Sequence, residues 1–304
     1  MRLRIRSSDG FLFAGAALLM VAALLLPGYE LFGVGSGDLL ASHLLLELAA
    51  VVVTMMVVIV AFFSLEEERS PLANSLILVF TLVAGIDLAH ALSYPGMPPF
   101  LGTPNDMSKA AFFWMFGRAA EVLGFTLALC RVRLPGGRWP WFLLGIAGSG
   151  LVAWLGGRHL AMFPPLFLPG VGVTAFKAAS DYALCAGFLL LAWRLWRKAS
   201  NRGDDEMAEL ARASYVLGIG ELAFTGYASA GEWQVVLGHV YKVFAYIFVF
   251  RAIFLSAMRR PYQHLHAAQR QLELKEQQYR TLVDNLPIIV MRLDLGLRLR
   301  LASP

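Results

Sequence analysis

Six sets of polar residues interrupt the apolar runs of this chain, and their spacing is its first chemical signal. His43 and Glu47 are four apart, Asp87 and His90 three, Arg118 and Glu121 three. Lys177 and Asp181 are four apart, His239 and Lys242 three, and Glu221 stands alone. Residues three or four apart share one face of a helix. Tyr94 lies four beyond His90 and continues its stripe through GIDLAHALSYPGMP. Imidazoles and carboxylates on shared faces can hold a metal ion, pass protons or bind a small cation. Among these eleven residues are five acids, Glu47, Asp87, Glu121, Asp181 and Glu221. Against them stand three bases, Arg118, Lys177 and Lys242, and three histidines, so five minus three leaves two negative charges uncompensated.

The elements that position these groups are membrane helices. The 304 residues are 58% hydrophobic and 15% charged. Soluble domains run at about 45–50% and 25%. Eight apolar segments can be drawn, at 11–27, 39–65, 72–94, 109–132, 139–157, 177–197, 209–229 and 233–257. This pattern predicts an all-α polytopic membrane protein with about eight transmembrane helices. The basic N-terminus, MRLRIRSSDG, reads as the flank of a retained first helix rather than a cleaved signal.

Positive charge sets the expected orientation. Arg2, Arg4 and Arg6 precede segment 1, and Arg131, Arg133 and Arg138 lie between segments 4 and 5. Arg194, Arg197, Lys198, Arg202 and Arg212 lie between segments 6 and 7, and Arg259 and Arg260 follow segment 8. Both termini are therefore expected in the cytoplasm of a bacterium, with the chain crossing its inner membrane several times. The formal charge of +5 is explained by these helix ends and their lipids, without nucleic acid. In this topology every polar residue named above falls within roughly 18 Å of the outer edge, at 1.5 Å per residue.

Two readings of that shared depth stay open. The groups form closed ion pairs that hold helices together, or they line a pocket open to the outside. In the second case the ligand-binding set is His43, Glu47, Asp87, His90, Tyr94, Arg118, Glu121, Asp181, Glu221, His239 and Lys242. His43, His90 and His239 are then the candidate metal ligands, although three histidines on three helices are not a spacing motif. A metal ion or haem is the cofactor such groups suggest. Trp114, Trp139, Trp141, Trp154 and Trp233 read as interfacial anchors. Phe112, Phe113 and Phe116 read as packing. Cys130 and Cys185 form no motif. No Walker loop, HExxH, cysteine pair or nucleophile elbow occurs, so no enzyme is expected within this chain.

Three parts follow from composition: a transmembrane domain over 1–260, a linker helix over 261–286, and the start of another domain over 287–304. In the linker, Leu265, Leu272, Tyr279 and Leu286 recur every seven residues, with Ala268 and Leu282 between them. That is a short, imperfect coiled-coil seam and predicts a homodimer; a single amphipathic linker helix fits as well. Asn285-Leu286-Pro287 should end the helix. The stretch IIVMRLDLGLRLRL alternates like strands around a turn, and the chain stops inside it.

The runs HLLLELAAVVV, GIDLAHALSYPGMP and FFWMFGRAAEVLG resemble the third family of bacterial membrane-associated sensor domains, the MASE type. ELAFTGY, LGHVYKVFAYIFVFRAIF and RRPYQHL extend the resemblance over most of residues 11–262. The tail EQQYRTLVDNLPIIVMRLDLGLRLRLASP resembles the beginning of a PAS domain. The resemblance implies the input module of a signalling protein. Such modules precede PAS and then a diguanylate cyclase, cyclic-di-GMP phosphodiesterase or histidine kinase, none of which is in this sequence. The expected function is to bind an unknown small ligand, cation or redox partner and relay the signal through the linker. The alternative is a proton- or ion-coupled transporter or channel, since intramembrane acids and histidines also build relays.

Overall fold

The computed structural model describes residues 7–26, 28–33, 36–63, 73–255, 257, 260–284, 291–293 and 299–302. The charges at Arg2, Arg4, Arg6, Arg259 and 66–69, the Asn-Leu-Pro break and most of the expected PAS start lie outside the described residues. The chain divides into two units, Met1–Ala257 and Met258–Pro304.

The first unit is an all-α polytopic membrane bundle. Its helices are α1 (Ser7–Leu25), α2 (Gly37–Phe63), α3 (Ala73–Leu92), α4 (Met107–Cys130), α5 (Arg138–Arg158), α6 (Ala175–Arg202), α7 (Asp205–Glu221) and α8 (Trp233–Phe254). Among the described residues, six of them (α2–α6 and α8) are long and apolar enough to cross a membrane. The apolar α1 is shorter. The remaining helix, α7, carries Asp205, Glu206, Glu209 and Arg212 in its first half, yet nearly all of it is buried by its neighbours. A helix shielded by protein does not need a lipid-like surface, and its buried charges can find partners.

The expected segment 209–229 is too long for the helix found there. Helix α7 stops at Glu221, and a 3-10 turn, Leu222–Phe224, leads into an irregular link. The chain tightens where Gly238 of α8 meets this turn: a Cβ on Gly238 would lie 2.3 Å from Phe224 Cζ. Glycine at this position leaves room for the Phe224 ring against α8.

At one end of the bundle four links knit together. Leu31 of the α1–α2 link donates its N–H to the Gly231 carbonyl of the α7–α8 link at 2.9 Å, and Val173 of the α5–α6 link donates to the Tyr227 carbonyl at 3.2 Å. The Thr103 hydroxyl of the α3–α4 link reaches the Gly157 carbonyl at 3.0 Å. A two-stranded hairpin, β1 (Phe167–Leu168) with β2 (Gly172–Val173), belongs to this end. At the opposite end Asn74 donates to the Leu134 and Gly136 carbonyls, each at 2.9 Å. There Arg131 pairs with Asp204 at 3.0 Å, joining the α4–α5 and α6–α7 links.

Helix α3 lies at the centre, packed against α2, α4 and α5. Apart from the stripe that carries Asp87 and His90 it is largely apolar, as a helix surrounded by others should be, and most of it is buried. Helix α8 closes the other side of α2 and packs on α7. The polar sets of α2, α3, α4 and α8 therefore converge on the space between these four helices.

The second unit contains α9 (Arg260–Asp284) and an antiparallel pair, β3 (Met291–Leu293) with β4 (Leu299–Ala302). Pro261 falls in the first turn of α9, where its missing N–H is tolerated. Leu272, Tyr279 and Leu282 are exposed on α9.

Candidate functional site

Local sequence explains how each group reaches the core. After α3 the chain turns through Tyr94-Pro95-Gly96-Met97, with the Met97 N–H bonded to the Tyr94 carbonyl at 3.1 Å. Proline at the second position and Gly96 at φ +95° are the residues a type II turn requires. The turn directs Tyr94 inward: its hydroxyl donates to the Ala230 carbonyl at 2.9 Å, and its ring stacks on His43 with centroids 3.6 Å apart. The following link is pinned by Lys109, whose ammonium donates to the Phe100 carbonyl at 2.6 Å and to Asn105 Oδ1 at 3.0 Å. Asp106 caps α4 by accepting the Lys109 N–H at 2.8 Å.

Three histidines and a glutamate meet beneath Tyr94. His43 Nε2 lies 3.2 Å from His90 Nε2, and His239 Nε2 lies 3.5 Å from Glu47 Oε1. One donor atom from each of these four buried residues falls within 4.8 Å of all the others. His90 Nδ1 faces the Ala110 carbonyl at 2.8 Å, and His239 Nδ1 faces the Val235 carbonyl at 2.7 Å. A carbonyl only accepts, so both Nδ1 atoms carry hydrogen and both Nε2 atoms turn a lone pair to the centre. His43 must then donate from Nε2 to His90 in the neutral state.

A chain of ion pairs continues inward from Glu47. Lys242 bridges Glu47 at 2.7 Å and Asp87 at 3.0 Å. Arg118 pairs with Asp87 at 2.9 Å and Glu121 at 2.8 Å. Tyr246 donates to Glu121 and sits 3.2 Å from Asp87 Oδ2. Asp87, Glu47 and Arg118 are each 0% exposed. Gly117 makes room for this junction, since a Cβ there would lie 3.2 Å from Asp87 Oδ1.

Nine of the expected ligand-binding residues thus join one network: His43, Glu47, Asp87, His90, Tyr94, Arg118, Glu121, His239 and Lys242. Asp181 does not enter it and pairs with Lys177 at 2.5 Å. Glu221 accepts the Trp114 indole N–H at 3.2 Å and makes no ion pair with the network among the described residues. Sequence reasoning missed two members. Trp114, expected as an interfacial anchor, is instead buried, with Arg118 4.8 Å and Lys242 5.1 Å from its ring. It occupies the wall between the two polar groups, where its face offsets buried positive charge. Tyr246 was not singled out, although it lies four residues beyond Lys242 and seven beyond His239 on one face of α8.

Two narrow clefts touch the histidines. One, lined by His90, Tyr94, Trp114, Lys177, Tyr227 and His239, has about 20 Å³ of water-accessible volume. The other, lined by Leu39, Ser42, His43, Tyr94 and His239, has about 10 Å³. Such volumes admit a water or an ion. They do not admit a porphyrin, so haem does not fit this site. Phe112 and Phe113 pack in a separate apolar cluster with Ile86 and Leu166.

A bundle of apolar helices around a fully buried ionic core is a polytopic membrane protein whose interior, not its surface, carries the polar chemistry. Residues 34–261 match the model of the MASE3 family, a membrane-associated sensor domain, and the chain belongs to that family. Comparison with curated proteins and with solved structures found no match.

Proposed function

We propose that this membrane sensor domain is the input module of a bacterial signalling protein, and that the network of α2, α3, α4 and α8 is where its stimulus acts. A small ligand, cation or redox partner reaches the network from the outer side through the clefts beside Tyr94. The chain sits in the inner membrane with both termini cytoplasmic. In support, the α4–α5 link with Arg131 and Arg133 and the basic C-terminal end of α6 share one end of the bundle, where Arg131 pairs with Asp204.

The observation that carries the reading is the place of α8. It supplies His239, Lys242 and Tyr246 to the network and is the last helix of the first unit before α9 in the chain. A stimulus that binds one arrangement of the core better than another shifts the population of that arrangement. The shift is relayed through α8 to the linker helix, where two chains pair, and on to a PAS domain and its output domain. The enzymatic step belongs to that output domain, a diguanylate cyclase, phosphodiesterase or histidine kinase, and the sensor itself performs none.

Cross-linking in membranes tests this. With Leu272→Cys as reporter in α9, Asp87→Asn removes a core charge at nearly constant shape and should change the yield of linked chains. An unchanged yield with the chain still folded would overturn the reading. Ion flux in proteoliposomes would instead favour the transporter.

A further inference from the structure

Outside the stimulus network, a second polar cluster among the described residues joins α1, α7 and α8. Arg212 binds Asp9 and Glu209, each at 2.9 Å, and Arg251 binds Glu209 at 2.9 Å. These four residues, two acids and two bases, balance. Its charges cancel, although Glu209 Oε2 makes no hydrogen bond among the described residues. The core does not balance. Glu47, Asp87 and Glu121 face Arg118 and Lys242, so three acids minus two bases leaves one negative charge. Of its three buried atoms that make no hydrogen bond among the described residues, Arg118 Nε stands apart and the other two are Glu47 Oε1 and His239 Nε2. These two belong to the set of four donors that meet beneath Tyr94.

We infer that His43, Glu47, His90 and His239 form a four-coordinate site for a divalent first-row transition metal of the zinc class. This deepens the sensor reading above and rests on it for its signalling consequence.

Geometry comes first. An ion bonded tetrahedrally at about 2.0–2.1 Å holds its donors about 3.4 Å apart. The His43–His90 pair at 3.2 Å and the His239–Glu47 pair at 3.5 Å already match two opposite edges of such a tetrahedron. All four donors lie within 4.8 Å of one another, so the remaining edges shorten by at most about 1.4 Å when the ion binds. Orientation comes second. Nδ1–H bonds from His90 and His239 to backbone carbonyls are the outer-shell contacts that fix a metal-binding tautomer. Only His43 must change: its hydrogen moves from Nε2 to Nδ1, leaving the net proton count unaltered. Chemistry comes third. Three imidazoles with one carboxylate suit a borderline ion such as zinc, whereas calcium and magnesium prefer oxygen alone. The uncompensated negative charge of the core offsets half of the ion's charge in a place where lipid and protein exclude water.

The test uses the full chain in lipid nanodiscs, stripped with chelator and titrated with Zn²⁺, then with Co²⁺ as a coloured probe. One ion per chain should bind, with the intense visible bands of tetrahedral cobalt. His90→Gln and His239→Gln should each weaken binding at least tenfold, and His159→Gln, at the bundle rim, should not. Glu47→Gln serves as a further variant should a histidine substitution lose helical circular dichroism. X-ray absorption should show imidazole nitrogens at about 2.0 Å from zinc. Binding well below one ion per chain, or equal affinity in the folded histidine variants, would overturn the site. Tight binding with no Zn²⁺-dependent change in Leu272→Cys cross-linking would leave the metal site standing and remove its role in sensing. A cross-linking response to acid or redox change without metal binding would do the reverse.

Discussion

Lys242 on α8 donates to Glu47 on α2 at 2.7 Å and pairs with Asp87 on α3 at 3.0 Å. One ammonium thus ties the last membrane helix to two others inside the bundle. Any ligand that draws Glu47 toward the histidines loosens one side of this bridge, so the core and α8 cannot rearrange independently.

Arg118 performs the same service between α3 and α4. Arg118→Met would leave Asp87 and Glu121 buried without their shared guanidinium. Removing one partner of a buried ion pair typically costs about 3–5 kcal/mol. The melting temperature in detergent should fall accordingly. Arg118→Lys should recover only part of the loss, because a single ammonium does not reproduce the planar fork whose Nη2 reaches Asp87 while Nη1 reaches Glu121.

The balanced cluster at the other end should respond unevenly. The Arg251 side chain is 57% exposed, and an exposed pair contributes at most about 1 kcal/mol. Arg251→Ala should therefore scarcely lower the denaturation midpoint. Glu209→Ala leaves Arg212, largely buried, with Asp9 as its remaining acid among the described residues, and should lower it clearly.

Tyr94 separates the histidines from the knitted end of the bundle. Tyr94→Ala removes the ring stacked on His43 and merges the two clefts. Zn²⁺ should then load and leave faster, with a smaller change in equilibrium affinity, as read by stopped-flow exchange with a chromophoric chelator. Tyr94→Phe keeps the ring, loses only the bond to Ala230, and should load at close to the original rate.

Much of this was readable from residue spacing. Pairs such as Asp87 with His90 and His239 with Lys242 announce a shared helix face, and short links between long apolar runs place the faces at one depth. Trp114 was not readable, because a tryptophan near a helix start looks the same whether it anchors to lipid headgroups or walls off a charge. Tyr246 sits in the aromatic run FAYIFVF, where nothing marks one ring as polar until its neighbours are known. The balanced set around Glu209 was hidden for a different reason: the polar first half of α7 resembles a surface link, and only packing by α6 and α8 buries it. The division between Asp181, which pairs with Lys177, and the remaining acids depends on helix rotation, which spacing within one helix does not fix.

Orientation is tested by labelling. In a Cys130→Ser background, which removes the exposed native thiol, Pro99→Cys in the α3–α4 link should react with an impermeant reagent in whole cells. Gly137→Cys, at the start of α5, should react only after the membrane is opened. The reverse pattern would invert the topology and place the histidines near the cytoplasmic face.

The linker offers its own check. Leu272 and Leu282 are exposed on α9, as seam positions of an unpaired helix would be. Leu272→Asp and Leu282→Asp should weaken chain-to-chain cross-linking. A full-length chain that stays monomeric at every concentration would refute the pairing.

Hydrogen exchange of the full chain with and without Zn²⁺ reads the core and the output helix together. Zn²⁺ should change amide exchange in α8 and in α9 of the wild-type chain and in neither helix of His90→Gln. Zn²⁺ bound at one ion per chain, with exchange across residues 260–284 identical in both conditions, would contradict a sensor that speaks through α8.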